Sequence, residues 1–299
     1  MSAPAPAQPL GRWIAAARPK TLPLTVAPVL AGLLLALAEA GQLVIPIALA
    51  TLLTAIAIQV GTNLHNDAAD FERGLDTADR LGPPRATAEG WFTASQVKTA
   101  AHLAFAIAFV LGLLLAIRGG WPILILGIAS LIAGYAYTGG PRPIAYGPLG
   151  EVFVLAFFGI AAVAGTYYLQ NLTLTPAPVL TGLALGFPAA AVLLLNNYRD
   201  LATDRRAGRR TLCHHLGHPG ARVLYALLLI APIPVLFAAD LPGQPWPLLI
   251  ALPLAGILIR RLYQGAAGIE LNALLARTAL YQMALVVLLA AGLALPAPT

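Results

Sequence analysis

Between Glu151 and Arg199 the chain carries no Asp, Glu, Lys or Arg. An interval of that length without a formal charge does not make a water-facing surface, and a bilayer core of ~30 Å needs about 20 apolar residues per helical crossing. It therefore reads as two crossings separated by the polar, proline-containing turn at 171–178. The rest of the 299 residues follows suit: 59% are apolar, 10% are charged and the mean hydropathy is +0.80, where a soluble domain carries roughly a quarter charged residues. Apolar runs place spans near 22–39, 43–62, 97–117, 121–138, 150–169, 178–197, 223–239, 246–259 and 278–295. The expected fold class is all-α, a polytopic membrane protein with a bundle of nine transmembrane helices forming one domain over 1–299. The Pro-rich stretch 1–9 reads as a disordered tail. Arg18 and Lys20 before the first run give it a signal-peptide look, but the run is long enough to cross a bilayer and is read as a span.

The net charge of +6 comes from 16 Arg and 2 Lys scattered among short loops. That is no phosphate-backbone footprint, so no nucleic-acid partner is expected and the lipid bilayer is the partner instead. No obligate protein partner is inferred. By side of the membrane, 17 of the 18 bases fall with the N-terminus and only Arg118 falls opposite. The positive-inside rule then puts the N-terminus in the cytoplasm and, after nine spans, the C-terminus outside. Cys213 is the single cysteine, which excludes an intrachain disulfide.

The acids are concentrated. Of twelve Asp and Glu residues, seven lie in two stretches at the cytoplasmic ends of the second and sixth spans. The first holds Asn63, Asn66, Asp67, Asp70, Glu72, Asp76 and Asp79, and the second holds Asn196, Asn197, Asp200 and Asp204. Overlaid without gaps, Asn63, Asp70 and Gly74 match Asn197, Asp204 and Gly208, a weak internal repeat. If each helix continues into its acids, spacings of three, four and seven bring the polar groups to one face. Converging carboxylates at a membrane edge need compensating cations. Mg²⁺ takes oxygen ligands and is usually completed by substrate phosphates. Lys20, Arg80, Arg85, Arg142, Arg199, Arg209 and Arg210 lie near enough to supply the other half of a diphosphate clamp. The alternative is a set of solvated charges at the ends of two helices.

Tyr135 and Tyr137 close the fourth span before a Gly- and Pro-rich turn containing Arg142. They read either as a substrate-lining loop or as an aromatic belt with a snorkelling Arg. Tyr167, Tyr168 and Trp121 read as belt anchors at the opposite interface. His214, His215 and His218 lack the partners a zinc site needs.

At the two acidic stretches the chain resembles the UbiA superfamily of intramembrane aromatic prenyltransferases, whose motifs run Asn-Asp-x-x-Asp and Asp-x-x-x-Asp. The stretches around Arg18 to Pro23, Asp76 to Pro83, Gly159 to Gln170, Asn196 to Leu212 and Leu271 to Thr278 are similar to its menaquinone branch, as is the six-residue step from Asp70 to Asp76. Arg209 stands where the family often has Lys. The resemblance implies nine helices around a lipid-open cavity in a cell membrane, with the site on the cytoplasmic side. It implies Asp67, Asp70, Asp76, Asp200 and Asp204 around Mg²⁺ and the diphosphate of a long isoprenoid, with transfer of the polyprenyl group to 1,4-dihydroxy-2-naphthoate. Loss of diphosphate and carbon dioxide would give demethylmenaquinone. An acceptor such as 4-hydroxybenzoate or homogentisate shares every one of these roles. A membrane transporter would place its acids near the midplane rather than at the edge.

Overall fold

The computed structural model describes residues 8–76 and 81–296, and among them every regular element is helical. Eight helical stretches are long and apolar enough to cross a membrane. In chain order the helices are α1 (Pro9–Ala16), α2 (Pro23–Ala40), α3 (Ile45–Glu72), α4 (Ala94–Ala136), α5 (Gly150–Leu155), α6 (Ala162–Asn171), α7 (Pro176–Arg199), α8 (Leu201–Arg206), α9 (Leu212–Ile230), α10 (Pro232–Phe237), α11 (Ala251–Tyr263) and α12 (Glu270–Leu293). A π-helical turn over Ala156–Ala161 joins α5 to α6.

The 43 residues of α4 would reach roughly 65 Å if straight, about twice a bilayer core. They do not run straight. Gly120 has φ 69° and ψ −158°, outside helical space, and Pro122 follows it. The break falls where the expected spans 97–117 and 121–138 meet, so the two halves pack as consecutive helices. Thr93 and Gln96 form a reciprocal capping box that starts α4. Pro253 falls in the first turn of α11, where a missing N–H costs no α-helical hydrogen bond.

Helix packing relies on small residues. A Cβ on Gly159 would lie 2.4 Å from the Gly182 carbonyl oxygen, and one on Gly186 would lie 2.7 Å from that of Leu155. The Gly182-x-x-x-Gly186 step of α7 thus admits the α5–α6 backbone at close range. Large apolar side chains face outward on the other helices, among them Ile107, Ile117, Ile125 and Val287. In a membrane these surfaces meet lipid.

Arg118 donates to the backbone oxygens of Leu169 at 2.7 Å and Gln170 at 2.9 Å, at the C-terminus of α6. Arg118, the one base that the sequence sets apart from the other 17, is therefore a helix cap. Tyr167 departs from the belt expectation, being buried and donating its hydroxyl to Glu39. Helix α1 was not expected. Trp13 stacks on Phe92 at 3.9 Å while Leu10 and Ile14 stay exposed, the arrangement of a short interfacial helix. Residues 1–7 of the expected tail lie outside the described residues.

Candidate active site

Helix α3 has 28 residues, a length of roughly 42 Å. That exceeds a bilayer core, so one end emerges from it. Its last turns carry Asn63, Asn66, Asp67 and Asp70. The second acidic stretch ends α7 and forms α8.

Both stretches stop in the same way. Gly74 N–H donates to the Phe71 oxygen and Leu75 N–H to that of Asp70, at 2.9 and 3.0 Å. Gly208 N–H donates to Arg205 and Arg209 N–H to Asp204, at 3.2 and 2.9 Å. These are two Schellman caps, with Gly74 at φ 66° and Gly208 at φ 74° in the left-handed region that favours glycine. The matched glycines of the weak sequence repeat are thus matched in conformation, and each cap closes directly after a key Asp.

The second cap also aims Arg209. Its guanidinium bonds Asp70 at 2.6 Å and Asp204 at 3.4 Å, tying together acids 134 apart in sequence, and stacks over the Tyr146 ring with its carbon 4.7 Å from the centroid. Arg85 holds the other oxygen of Asp70 at 2.7 Å, reaches Asp76 at 3.1 Å and donates to the Asn66 backbone oxygen at 2.7 Å. Arg199 grips both oxygens of Asp200, at 2.7 and 2.6 Å, and donates to the side-chain oxygens of Asn196 and Asn272. Asn272 in turn donates to the Leu81 oxygen, joining α12 to the loop after α3. Burial raises the Asp204 carboxyl to about 6, opposed by Arg209 and reinforced by Asp200. Burial works against the charge on Arg209, but Asp70, Tyr146 and Asp204 outweigh it and hold its pKa raised.

These groups surround the mouth of a cavity of about 1240 Å³ that continues past Ile58, Leu126, Phe157 and Phe158 to Thr51 and Leu169. Thr51 lies 19 residues before Asp70 on α3, so the cavity runs roughly 28 Å along that helix. One end is ionic and the rest is mostly apolar, with scattered hydroxyls and Gln59.

Of the residues singled out from sequence, Lys20, Asn63, Asn66, Asp70, Asp76, Arg85, Tyr137, Asn196, Asn197, Arg199, Asp200, Asp204 and Arg209 line this cavity. Asp67 does not. It is 1% exposed and accepts from the backbone N–H groups of Ala86 at 2.8 Å and Thr87 at 3.1 Å, and from the Thr87 hydroxyl. Its carboxylate is committed to the loop that presents Arg85. Tyr135 lies outside the lining and stacks on His65 at 4.4 Å. Arg142 and Arg210 are exposed and also outside it. Arg80 lies outside the described residues. Asn197 lines the cavity while donating to Glu151 at 2.9 Å. Sequence reasoning passed over Tyr146, the platform under Arg209, and Gln59, whose spacing of four before Asn63 puts it on the same face of α3.

The donor set suits a hard cation: carboxylates and amide oxygens, with no thiol among the lining residues. Among the described residues, no three acids, histidines or cysteines converge enough to cage an ion unaided. Four acids at the mouth (Asp70, Asp76, Asp200 and Asp204) face five bases (Arg18, Lys20, Arg85, Arg199 and Arg209). One surplus positive charge falls short of a diphosphate, which carries several negative ones.

Paired acids and bases at the mouth of a long, mostly apolar channel, inside a bundle of helices apolar enough to cross a membrane, suit an intramembrane enzyme whose substrate has a charged head and an apolar tail. The comparisons narrow the class: the UbiA prenyltransferase family matches residues 25–273, and the chain belongs to that family. It is 38% identical over 252 residues to the 1,4-dihydroxy-2-naphthoate octaprenyltransferase of Escherichia coli, covering 81% of this chain and 82% of that one. The protein of the same name from Mycobacterium tuberculosis is 36% identical over 288 residues, covering 95% and 97%. Among solved structures, a UbiA homologue from Archaeoglobus fulgidus bound to DMAPP and Mg²⁺ superposes with a TM-score of 0.61 at 14% identity, over 92% of this chain and 99% of that one.

Proposed function

We propose that this chain transfers a polyprenyl group from its diphosphate to 1,4-dihydroxy-2-naphthoate, with loss of diphosphate and carbon dioxide. The observation that carries the reading is the meeting of the two acidic motifs through Arg209 at the mouth of an apolar channel. The names of the relatives from Escherichia coli and Mycobacterium tuberculosis supply the acceptor.

Asp70, Asp76, Asp200 and Asp204, with the amide oxygens of Asn66 and Asn196, are the groups that would hold Mg²⁺. The ion supplies charge neutralisation on the departing diphosphate. Arg85, Arg199 and Arg209 are paired with these carboxylates in the structure and turn to phosphate oxygens when the head group enters, while Lys20 adds a further cation at the mouth. Donors aimed at the leaving group stabilise the charge that develops as the allylic C–O bond breaks. Tyr137, at the C-terminal end of α4, lines the cavity with these groups and would contact the reacting ring. The apolar channel holds the tail and keeps water from the carbocation. A ring electron pair then forms the new carbon–carbon bond, and the bond pair to the carboxylate returns to the ring as carbon dioxide leaves. The product is the reduced form of demethylmenaquinone. Asp67 acts at one remove by docking the loop that carries Arg85.

In this reading α4 contributes two spans divided at Gly120, which makes nine crossings. The distribution of bases supports a cytoplasmic N-terminus and site with an external C-terminus in a cell membrane. The test supplies membranes containing the protein with a polyprenyl diphosphate, Mg²⁺ and carboxyl-labelled dihydroxynaphthoate. One labelled carbon dioxide per diphosphate is expected. Prenylated product that retains the label refutes the acceptor assignment, and turnover only with 4-hydroxybenzoate or homogentisate replaces it.

A further inference from the structure

Helix α3 presents Gln59, Asn63, Asn66 and Asp70 to the cavity at steps of four, three and four, which is one face of a helix. The clamp uses the upper members, whereas Gln59 lies roughly 16 Å below Asp70 along the axis. Thr51, Thr54, Ser130 and Thr166 also line the channel but spend their hydroxyl hydrogens on their own helix backbone, whereas a carboxamide at that depth needs other partners. Gln59 is 7% exposed, and its Nε2 donates to Thr21 Oγ1 at 3.1 Å. The Thr21 hydroxyl spends its own hydrogen on the Arg18 backbone oxygen at 2.9 Å and also receives Asn63 Nδ2 at 3.0 Å. Thr21 is therefore purely an acceptor toward Gln59, so the amide orientation is dictated by the network. The NH₂ must face Thr21 and the oxygen must face away.

That oxygen, Gln59 Oε1, is buried with no donor among the described residues. One turn along from Thr21, the Thr25 hydroxyl lines the same cavity, is 6% exposed and also lacks a partner. An isoprenoid tail offers neither group anything, and leaving a buried acceptor against hydrocarbon is costly. Leu126, Phe157 and Phe158 of the lining have no such requirement and suit the tail.

We propose that the Thr25 and Gln59 side of the cavity is the acceptor subsite, in which the Gln59 side chain swings its enclosed Oε1 toward the cavity to receive a phenolic O–H of the aromatic substrate. The proposal rests on the aromatic acceptor of the preceding section, but it needs only a ring hydroxyl and not a particular ring. As the ring attacks the carbocation, positive charge spreads to that hydroxyl and its hydrogen bond strengthens, so the contact favours the transition state over the bound substrate. Gln59 thus sets specificity as well as affinity.

The test compares dihydroxynaphthoate with the two monohydroxy analogues, each lacking one ring hydroxyl, in the wild type and in Gln59→Leu. In the wild type one analogue should fall about 10- to 100-fold in kcat/KM. Gln59→Leu should lower kcat/KM for the parent acceptor about 10-fold or more and leave that analogue unaffected, with the KM for prenyl diphosphate unchanged. Turnover of that analogue at its wild-type rate also controls for misfolding. Equal loss on parent and analogue, a change confined to the prenyl diphosphate KM, or no loss at all overturns the proposal. A wild type that prenylates no hydroxylated aromatic acid removes the proposed function and this inference together. An active wild type that shows no discrimination through Gln59 removes only the inference.

Discussion

Asp67 is where the motif and the geometry part company, so its substitution separates two accounts of the site. As a metal-holding residue it should behave like Asp70. As the anchor of the loop carrying Arg85 it should not. Asp67→Ala orphans the backbone N–H groups of Ala86 and Thr87, which now bond its carboxylate at 2.8 and 3.1 Å. Leaving two buried donors unsatisfied costs about 2–6 kcal/mol of loop docking. A midpoint near 3–4 kcal/mol corresponds to a loss of roughly 100- to 1,000-fold in the docked, active form. Thr87→Val is the sharper probe, because it deletes one hydroxyl on a residue outside the cavity lining. It removes one hydrogen bond to a charged acceptor, worth about 1.5–3 kcal/mol, and should lower kcat/KM by roughly 10- to 100-fold.

The assay is the dependence of rate on Mg²⁺ and on prenyl diphosphate, measured separately. Undocking the loop withdraws Arg85 from Asp70 and leaves that carboxylate freer. Half-saturation by Mg²⁺ should then stay constant or fall while the KM for prenyl diphosphate rises. A Thr87→Val enzyme with wild-type kinetics, alongside an Asp67→Asn enzyme needing more than about ten times the Mg²⁺, refutes the anchoring argument and returns Asp67 to the metal.

Other outcomes are expected. Asp70→Ala, Asp200→Ala and Asp204→Ala should each cost at least ~100-fold in turnover while the protein still inserts, as checked by membrane fractionation; wild-type rates for any two would remove them from the clamp. Excess EDTA should abolish turnover, and Mg²⁺ or Mn²⁺ should restore it. Because Asp204 holds its proton up to a pH of about 6, the Mg²⁺ concentration for half-maximal rate should climb as pH falls through that value, approaching tenfold per unit if this one proton competes with the ion. At fixed saturating Mg²⁺ the effect should vanish. A C-terminal reporter that functions only outside the cytoplasm should be active, and a cytoplasm-only reporter silent, if nine spans separate the termini.

The helices were legible because lipid imposes one rule along the whole chain, and the break between the third and fourth spans announced itself in Gly119-Gly120-Trp121-Pro122. Helix α1 escaped because its eight residues are too few for a pattern that spans a bilayer. The composition of the site was also legible, but not its pairing. Nothing local shows that Asp67 meets Thr87, twenty residues on, while Asp70 three residues away meets Arg209. Arg209 and Arg210 are neighbours of identical type, yet the Schellman cap turns the first inward and leaves the second exposed. Tyr135 and Tyr137 divide likewise, with two residues of helix rotating one toward His65 and the other toward the cavity. Gln59 was hidden by its chemistry, since a neutral amide draws no attention beside seven carboxylates.

The roughly 28 Å channel that runs from the acids toward the far end of α3 changes how this enzyme meets its substrate. A tail of that length never dissolves in water, so encounter takes place in two dimensions within the leaflet. The governing concentration is then moles of prenyl diphosphate per mole of lipid, and litres of buffer do not enter. Adding inert lipid at constant total substrate should slow the reaction by surface dilution, and product would pass to its next user sideways through the bilayer, without ever being released.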